Sequence, residues 1–496
     1  MAAAVCLGIL PLSGCGGPVR TESGDSLLDV QDEELTVSRR ERAIDLAWAN
    51  VESGVADRGL TRRALAEDVI WDRGTHPSLR KAAMRALLSD RTEAGEPDSI
   101  ELCAALLPTE SDRDLVELIS KTAASRGWTG LTPSLVRSLS THVPRVEDAT
   151  RPEAAALRAL HPGRSLEQTV FETFLQPVQP GADADARRLD RIADRRRGAA
   201  WDLLARLDPT GARRMDLVRQ RLGRGSDDPV LLAVAACVDE LGCVPLTGDE
   251  LRWVVALHDT PNQDWWTTAR SNVGRLSASQ REGLRVRHLE PLRWTAARES
   301  SRLNESRDTL LRELDARLAD RTLIQRTADS GPFGRNRGER LRDQAGSLRW
   351  ADLITILAID DAIASSTTRR ALHGQAEADH ADDSTEYGGA LEPVADGGMA
   401  YRAIPYLPRP TQREHDRKYI PPIELIEGTN RALAHYHFHA HRENNESFAG
   451  PGEGDLLYAA RSGRSCLVFT SIRGGGLAVD YFQPNGVVVD LGVLPR

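Results

Sequence analysis

From about Leu35 to Arg349 the apolar residues of this 496-residue chain recur with the period of an α-helix, segment after segment. No other feature limits its fold as strongly. In Ser78–Leu88, Leu79, Ala82, Ala83, Ala86 and Leu87 fall on one stripe, the i, i+3, i+4, i+7 spacing of a helix with one buried face. Similar segments are predicted at Ser99–Leu107, Asp112–Ser125, Thr132–Ser140, Glu153–Leu160, Arg197–Leu207, Arg213–Leu222 and Pro229–Leu241. Helix-start signals precede many of them, such as His76-Pro77-Ser78, Thr132-Pro133 and Asp227-Asp228-Pro229. The connectors are short and carry Gly, Pro or Asp. An all-α region results.

Short helices with small residues, joined by tight turns, suggest an α-solenoid, and the segments around Leu79–Leu88 and Val230–Leu241 resemble degenerate HEAT-type repeats. No clean period of about 40 residues emerges, so a plain helical bundle is the alternative. Gly181–Ala186 interrupts the run as an acidic loop. Such arrays serve as interaction surfaces or spacers, so a protein partner is expected there. Cys103, Cys237 and Cys243 sit in apolar helical contexts and read as buried thiols, and Trp265-Trp266 as a packed pair. With 40% hydrophobic and 28% charged residues the chain is neither a polytopic membrane protein nor wholly disordered. A net charge of −9 argues against nucleic acid as a partner, since phosphate binding needs a basic face.

The N-terminus reads Met1-Ala-Ala-Ala-Val-Cys-Leu-Gly-Ile-Leu10, then Leu12-Ser13-Gly14-Cys15. This short apolar run ending in Leu-Ser-Gly-Cys resembles the lipobox of bacterial lipoproteins. The resemblance implies cleavage before Cys15, lipidation of that cysteine and a place in the cell envelope. The run falls short of the roughly 20 residues needed to cross a bilayer, so contact with a membrane would be through the lipid anchor alone. It departs from the pattern in having no Lys or Arg ahead of the apolar run. Without such a signal a cytoplasmic location follows.

Between Asn272 and Arg342 the chain turns polar and Arg-rich, with helix expected at Thr309–Asp320, and Ser330–Gly338 marks a linker. Beyond it the grammar changes. Leu348–Ala364 reads as one apolar helix, followed by a polar His/Asp-rich stretch. Strands are then predicted at Tyr387–Val394, Met399–Leu407, Ala432–His439, Cys466–Ser471, Leu477–Gln483 and Gly486–Leu491. Gly397-Gly398 and Pro484-Asn485-Gly486 read as hairpin turns, and Gly454–Ala460 as the start of a helix. The expected organisation is a signal segment (1–15), a tether (16–34), a helical domain (35–260), a polar helical connector (261–341) and an α/β domain with a mixed sheet (342–496).

Seven of the twelve histidines lie at or after His373, and His435, His437, His439 and His441 alternate within seven residues. On a strand all four share a face. Same-face neighbours about 6.5–7 Å apart can converge two imidazoles on one ion. A polar strand face accounts for the pattern equally well. His373, His380 and His415 read as solvated loop residues.

Ala434-His435-Tyr436-His437-Phe438-His439-Ala440 resembles the Gly-Trp-Tyr-His-x-His-Pro strand of the JAMM/MPN metallopeptidases. Pro451-Gly452-Glu453-Gly454-Asp455-Leu456 is similar to the family's Pro-Ser-x-x-Asp-Leu, and Glu386-Tyr387-Gly388-Gly389 to its Glu-x-x-Gly strand. The resemblance, over about 345–496, implies Zn2+ held by His437, His439 and Asp455, with Glu386 as general base and His435 and His441 as flanking residues. It further implies hydrolysis of amide or isopeptide bonds in a protein or peptide substrate. The oxyanion-stabilising Ser of the family is here Gly452; Ser447, eight residues after His439, is the other candidate for that role. The loop before Asp455 is about five residues longer than the family's, and Ala440 replaces its Pro. The competing expectation is a non-catalytic interaction or scaffold lipoprotein carrying a degenerate JAMM-like domain.

Overall fold

A computed structural model of the chain describes residues 26–143, 145–176, 186–324, 338–394, 400–415 and 418–496, of which 186–192 as backbone only. The lipobox with Cys15, most of the acidic 181–186 loop, most of the 330–338 linker and Gly397-Gly398 lie outside the described residues. The chain is mostly helical and ends in a six-stranded mixed sheet. It divides into two compact units, 1–166 and 167–496, a division that does not fall at the compositional changes near 260 and 342.

In the first unit, Leu79, Ala82, Ala83, Ala86 and Leu87 of the Pro77–Ser89 helix are all buried, as their spacing requires. Local chemistry sets the ends. Asp112 accepts from the backbone of Asp114 and Leu115 to start Arg113–Arg126, and Gly127, at φ 68°, closes that helix in the left-handed region. Alternate helices then pack in a row: Val37–Glu52 on Pro77–Ser89, that on Arg113–Arg126, and that on Pro152–Leu160. The buried Glu153 of the last helix is paired with Arg113 of its neighbour at 3.3 Å and with Arg151 at its own helix start at 2.6 Å.

The second unit joins helices and sheet around one apolar core that runs from Ala233 to Leu494. The Trp350–Ala364 helix is buried on almost every side, which its apolar sequence demands, and it packs on Val286–Arg298 and Arg307–Ala319. Its two buried acids are neutralised. Asp352 takes Arg287 and His288 at 3.0 Å each, and Asp360 takes Arg317 at 3.2 Å and Arg321 at 2.6 Å. The His/Asp-rich stretch that follows is not a loop but the Ser366–His380 helix. His373 is buried in it, hydrogen-bonded to the Pro495 carbonyl, whereas His380 and His415 are exposed. Trp265 and Trp266 are buried, their indole N–H groups donating to Glu290 and Glu240. Burial pushes the Cys103 and Cys243 thiols up to about 12.

The strands are β1 (Gly388–Pro393), β2 (Tyr401–Pro405), β3 (His435–His439), β4 (Cys466–Ser471), β5 (Leu477–Phe482) and β6 (Val488–Leu494). They lie in the order β2-β1-β3-β4-β5-β6, with β3 and β4 parallel and the other pairs antiparallel. Alternation splits the sheet into two chemistries. Tyr436, Phe438, Leu467, Phe469, Val479 and Tyr481 enter the large core. His435, His437 and His439 share the opposite face with Cys466 and Val468 of β4 and Phe482 of β5. Against that face stand the helices Ile423–Gly428, which period and capping signals did not reveal, and Glu453–Ser462.

Candidate metal centre

The His-x-His pair owes its convergence to β3, where a two-residue step keeps His437 and His439 on one side of the sheet. Their Nε2 atoms lie 3.2 Å apart. The third group comes from the first turn of the Glu453–Ser462 helix, where Asp455 places Oδ1 3.3 Å from His437 Nε2. One ligand atom from each of the three lies within 4.8 Å of the others. Ligands at 2.0–2.1 Å around a tetrahedral ion are separated by about 3.3–3.4 Å. The His437–His439 and His437–Asp455 separations are already close to that edge, so the donor set fits a metal ion without rearrangement of those two pairs.

Outer contacts fix the donors. His439 Nδ1 stands 2.7 Å from the Phe448 carbonyl, which must accept its N–H, so Nε2 carries the lone pair that faces the other ligands. Asp455 divides its oxygens: Oδ2 accepts the Gly452 N–H at 2.7 Å, closing the helix start, and Oδ1 is left for the triad. The His437 ring lies parallel to Tyr419, 6.2 Å between centroids. Gly388, opposite His437 in the β1–β3 register, admits that tyrosine, since a Cβ there would sit 2.6 Å from its ring. Burial opposes charge on both His437 and Asp455. Each nonetheless favours the ionised form of the other, and Asp455 together with Glu386 holds the His437 imidazolium above its ordinary range.

Glu386 is buried and lines the same cavity of about 360 Å³ as His437, His439 and Asp455. The β1–β3 register, extended by two pairs beyond Gly388–His437, sets it opposite His439 on the face of the histidines. Four of the residues expected at the site are thus brought together. Ser447 is not: it is exposed on the short Glu446–Phe448 turn and is not among the residues lining the cavity. Gly452 does line it.

His435 has both ring nitrogens engaged, Nε2 with Thr429 Oγ1 and Nδ1 with the Tyr458 hydroxyl, each at 2.7 Å. Thr429 donates its own proton to the Leu425 carbonyl, so it accepts from His435 Nε2–H, and Tyr458 donates to Nδ1. Burial then holds His435 neutral. His441 packs edge-on against Phe448 outside the triad. Sequence reasoning missed Thr429, Tyr419, Tyr458 and the Phe448 carbonyl. No spacing rule marks such partners, and a backbone acceptor carries no residue-type signal.

Among the described residues no helix is long and apolar enough to cross a membrane. Comparison of the chain with protein-family models, with curated proteins and with solved structures found no match to any of them.

Proposed function

We propose that the second unit is a zinc-dependent hydrolase of amide or isopeptide bonds, built on JAMM-like lines and carried with a helical scaffold. The observation that carries this reading is the convergence of His437, His439 and Asp455 at ligand spacing in a cavity that Glu386 also lines. Two imidazoles and one carboxylate are a donor set that suits zinc and leaves a position open. Zinc bound there would supply Lewis acidity, lowering the pKa of a water towards about 7. Glu386 would accept the proton of that water as it attacks the carbonyl carbon, and return it to the leaving amine as the C–N bond breaks. Gly454, the residue before Asp455, lines the cavity, whereas the Gly452 N–H is committed to Asp455 Oδ2. Backbone N–H groups of the first helical turn, which have no partner within the helix, would then take the oxyanion role that a serine fills in the family.

The row of alternate helices in the first unit supports a stacked, solenoid-like array that docks a protein or peptide substrate or a protein partner. One observation favours the non-catalytic alternative. The hydroxyls of the three tyrosines lining the cavity, Tyr419, Tyr436 and Tyr458, are already committed to Tyr406, Gln375 and His435. An envelope location through lipidated Cys15 belongs to the same proposal and rests on the lipobox-like sequence.

The test is elemental analysis of untagged protein followed by peptidase profiling. The proposal expects one zinc per chain in the wild type and none in His437→Ala. It expects Glu386→Gln to keep the zinc and lose about 10²–10⁴ in rate. A wild type without zinc overturns it. Zinc with no hydrolysis of any peptide or isopeptide substrate leaves the scaffold reading.

A further inference from the structure

We infer that the cavity beside the triad is a specificity pocket for an apolar side chain, so that the substrate carries a large aliphatic or aromatic residue next to the amide that is cut. This rests on the hydrolase reading above.

The cavity has two chemically different ends. Glu386, His437, His439 and Asp455 form one. Along β3 on the same face, about 6.5–7 Å from His437, stands His435. In register with it across the sheet are Cys466 of β4 and, beyond that, Phe482 of β5. Leu425 and Tyr419 wall this second end on one side and Tyr458 on the other.

Lys418, which also lines the cavity, is exposed and paired with Glu414 at 3.5 Å, and the other side-chain polar groups at the second end are spent inside the protein. His435 uses Nε2 on Thr429 and Nδ1 on Tyr458. The Tyr419 hydroxyl donates to the Tyr406 carbonyl at 2.7 Å, and the Cys466 thiol is turned to the Arg464 carbonyl at 3.8 Å. A polar occupant would lose its water and gain no partner, whereas an apolar one meets Leu425, Phe482 and the tyrosine rings. The volume of about 360 Å³ holds one large side chain together with the reacting water, whose share of liquid volume is about 30 Å³. The water and the scissile carbonyl belong at the triad end, which leaves the apolar end for a neighbouring side chain.

The test is a calorimetric binding series on the zinc-loaded full chain, using acetohydroxamate, hexanohydroxamate and phenylacetohydroxamate. Their shared metal-binding group isolates the pocket from catalysis. The two larger probes are expected to bind about 10- to 100-fold tighter than acetohydroxamate. Leu425→Trp, which fills the pocket, is expected to erase the difference at unchanged zinc content. A flat series on zinc-loaded wild type overturns the pocket assignment and leaves the hydrolase reading standing; this arm decides even where Leu425→Trp fails to fold. A wild type that takes up no zinc overturns both.

Discussion

Four alternating histidines divide into different roles by what their second nitrogen touches. His439 gives Nδ1–H to a backbone carbonyl and keeps Nε2 for the triad, while His435 spends both nitrogens on Thr429 and Tyr458. Thr429→Val strands the His435 N–H in the interior, and is expected to cost about 1–3 kcal/mol in urea unfolding while zinc content stays at that of the wild type. Zinc lost as in His437→Ala would instead make His435 part of the ligand set. Ser447, exposed and away from the cavity, supports a second expectation: Ser447→Ala leaves kcat/KM within about twofold, against the 10²–10⁴ loss from Glu386→Gln. The alternation that put the histidines on one face was legible because a strand has a period of two. Ser447 was selected by its distance along the chain from His439, yet it is the carbonyl of its neighbour Phe448 that reaches the site, and chain distance says nothing of which way a peptide turns.

At the scale of elements, β1 is positioned by two glycines whose missing side chains do different work. A Cβ on Gly389 would stand 2.0 Å from the Ile404 carbonyl of β2, where backbone has no room to yield. Gly389→Ala is therefore expected to lower the urea midpoint by the equivalent of about 1–3 kcal/mol or more, as overpacking does. The packing of Val286–Arg298 on Trp350–Ala364 carries a pH signature. His288 donates Nε2–H to Asp352 and accepts the Arg285 N–H at Nδ1, so its neutral form is fully bonded. Burial and the adjacent Arg287 push its pKa down to about 4. An unfolded histidine titrates near about 6.5. Between those values the unfolded chain binds a proton that the folded chain refuses, so stability is fullest above pH 6.5 and falls as pH drops towards 4. The contribution of His288 to the slope is up to about 1.4 kcal/mol per pH unit, measured by urea unfolding at pH 7, 6 and 5, and His288→Gln should reduce the slope by that amount while the buried His435 keeps its own. Elements with a clear period were readable in advance, β4 to the residue and most others within a few positions, whereas the helix expected at Arg197–Leu207 begins eleven residues earlier, at Ala186. Ser366–His380 was not, because its buried face is made of Thr368, Leu372, His373, Ala376 and Asp379, too polar a stripe to register as a core. Ile423–Gly428 is too short for any period to show.

For the whole molecule, composition suggested a boundary near residue 342, and one apolar core runs across that position. The sheet's apolar face and the Trp350–Ala364 helix are covered by residues from Ala233 onward, in one continuous core. Arg464 lies 4.1 Å over the ring of Trp253, itself part of that core, while the Trp253 indole donates to the Asn430 carbonyl at 2.7 Å. Arg464 also donates to the Thr429 carbonyl at 3.0 Å, so the Gly248–His258 helix braces the residue that holds His435. Composition could not reveal this, because the contacts join residues some 177 positions apart, and local sequence reports only local structure. The compact unit 167–496 contains every one of these partners. A chain beginning at residue 167 is therefore expected to unfold cooperatively and to bind zinc with the stoichiometry of the full chain. A chain beginning at residue 342 uncovers the apolar Trp350–Ala364 helix and removes Arg287, Arg317 and Arg321, the partners of Asp352 and Asp360. The apolar burial lost with the helices removed, at about 25 cal/mol per Å², exceeds what so small a remnant can spare. Soluble expression, circular dichroism and zinc content of the two truncations check this, and a well-folded, zinc-binding 342–496 fragment would show that the sheet stands without the helices.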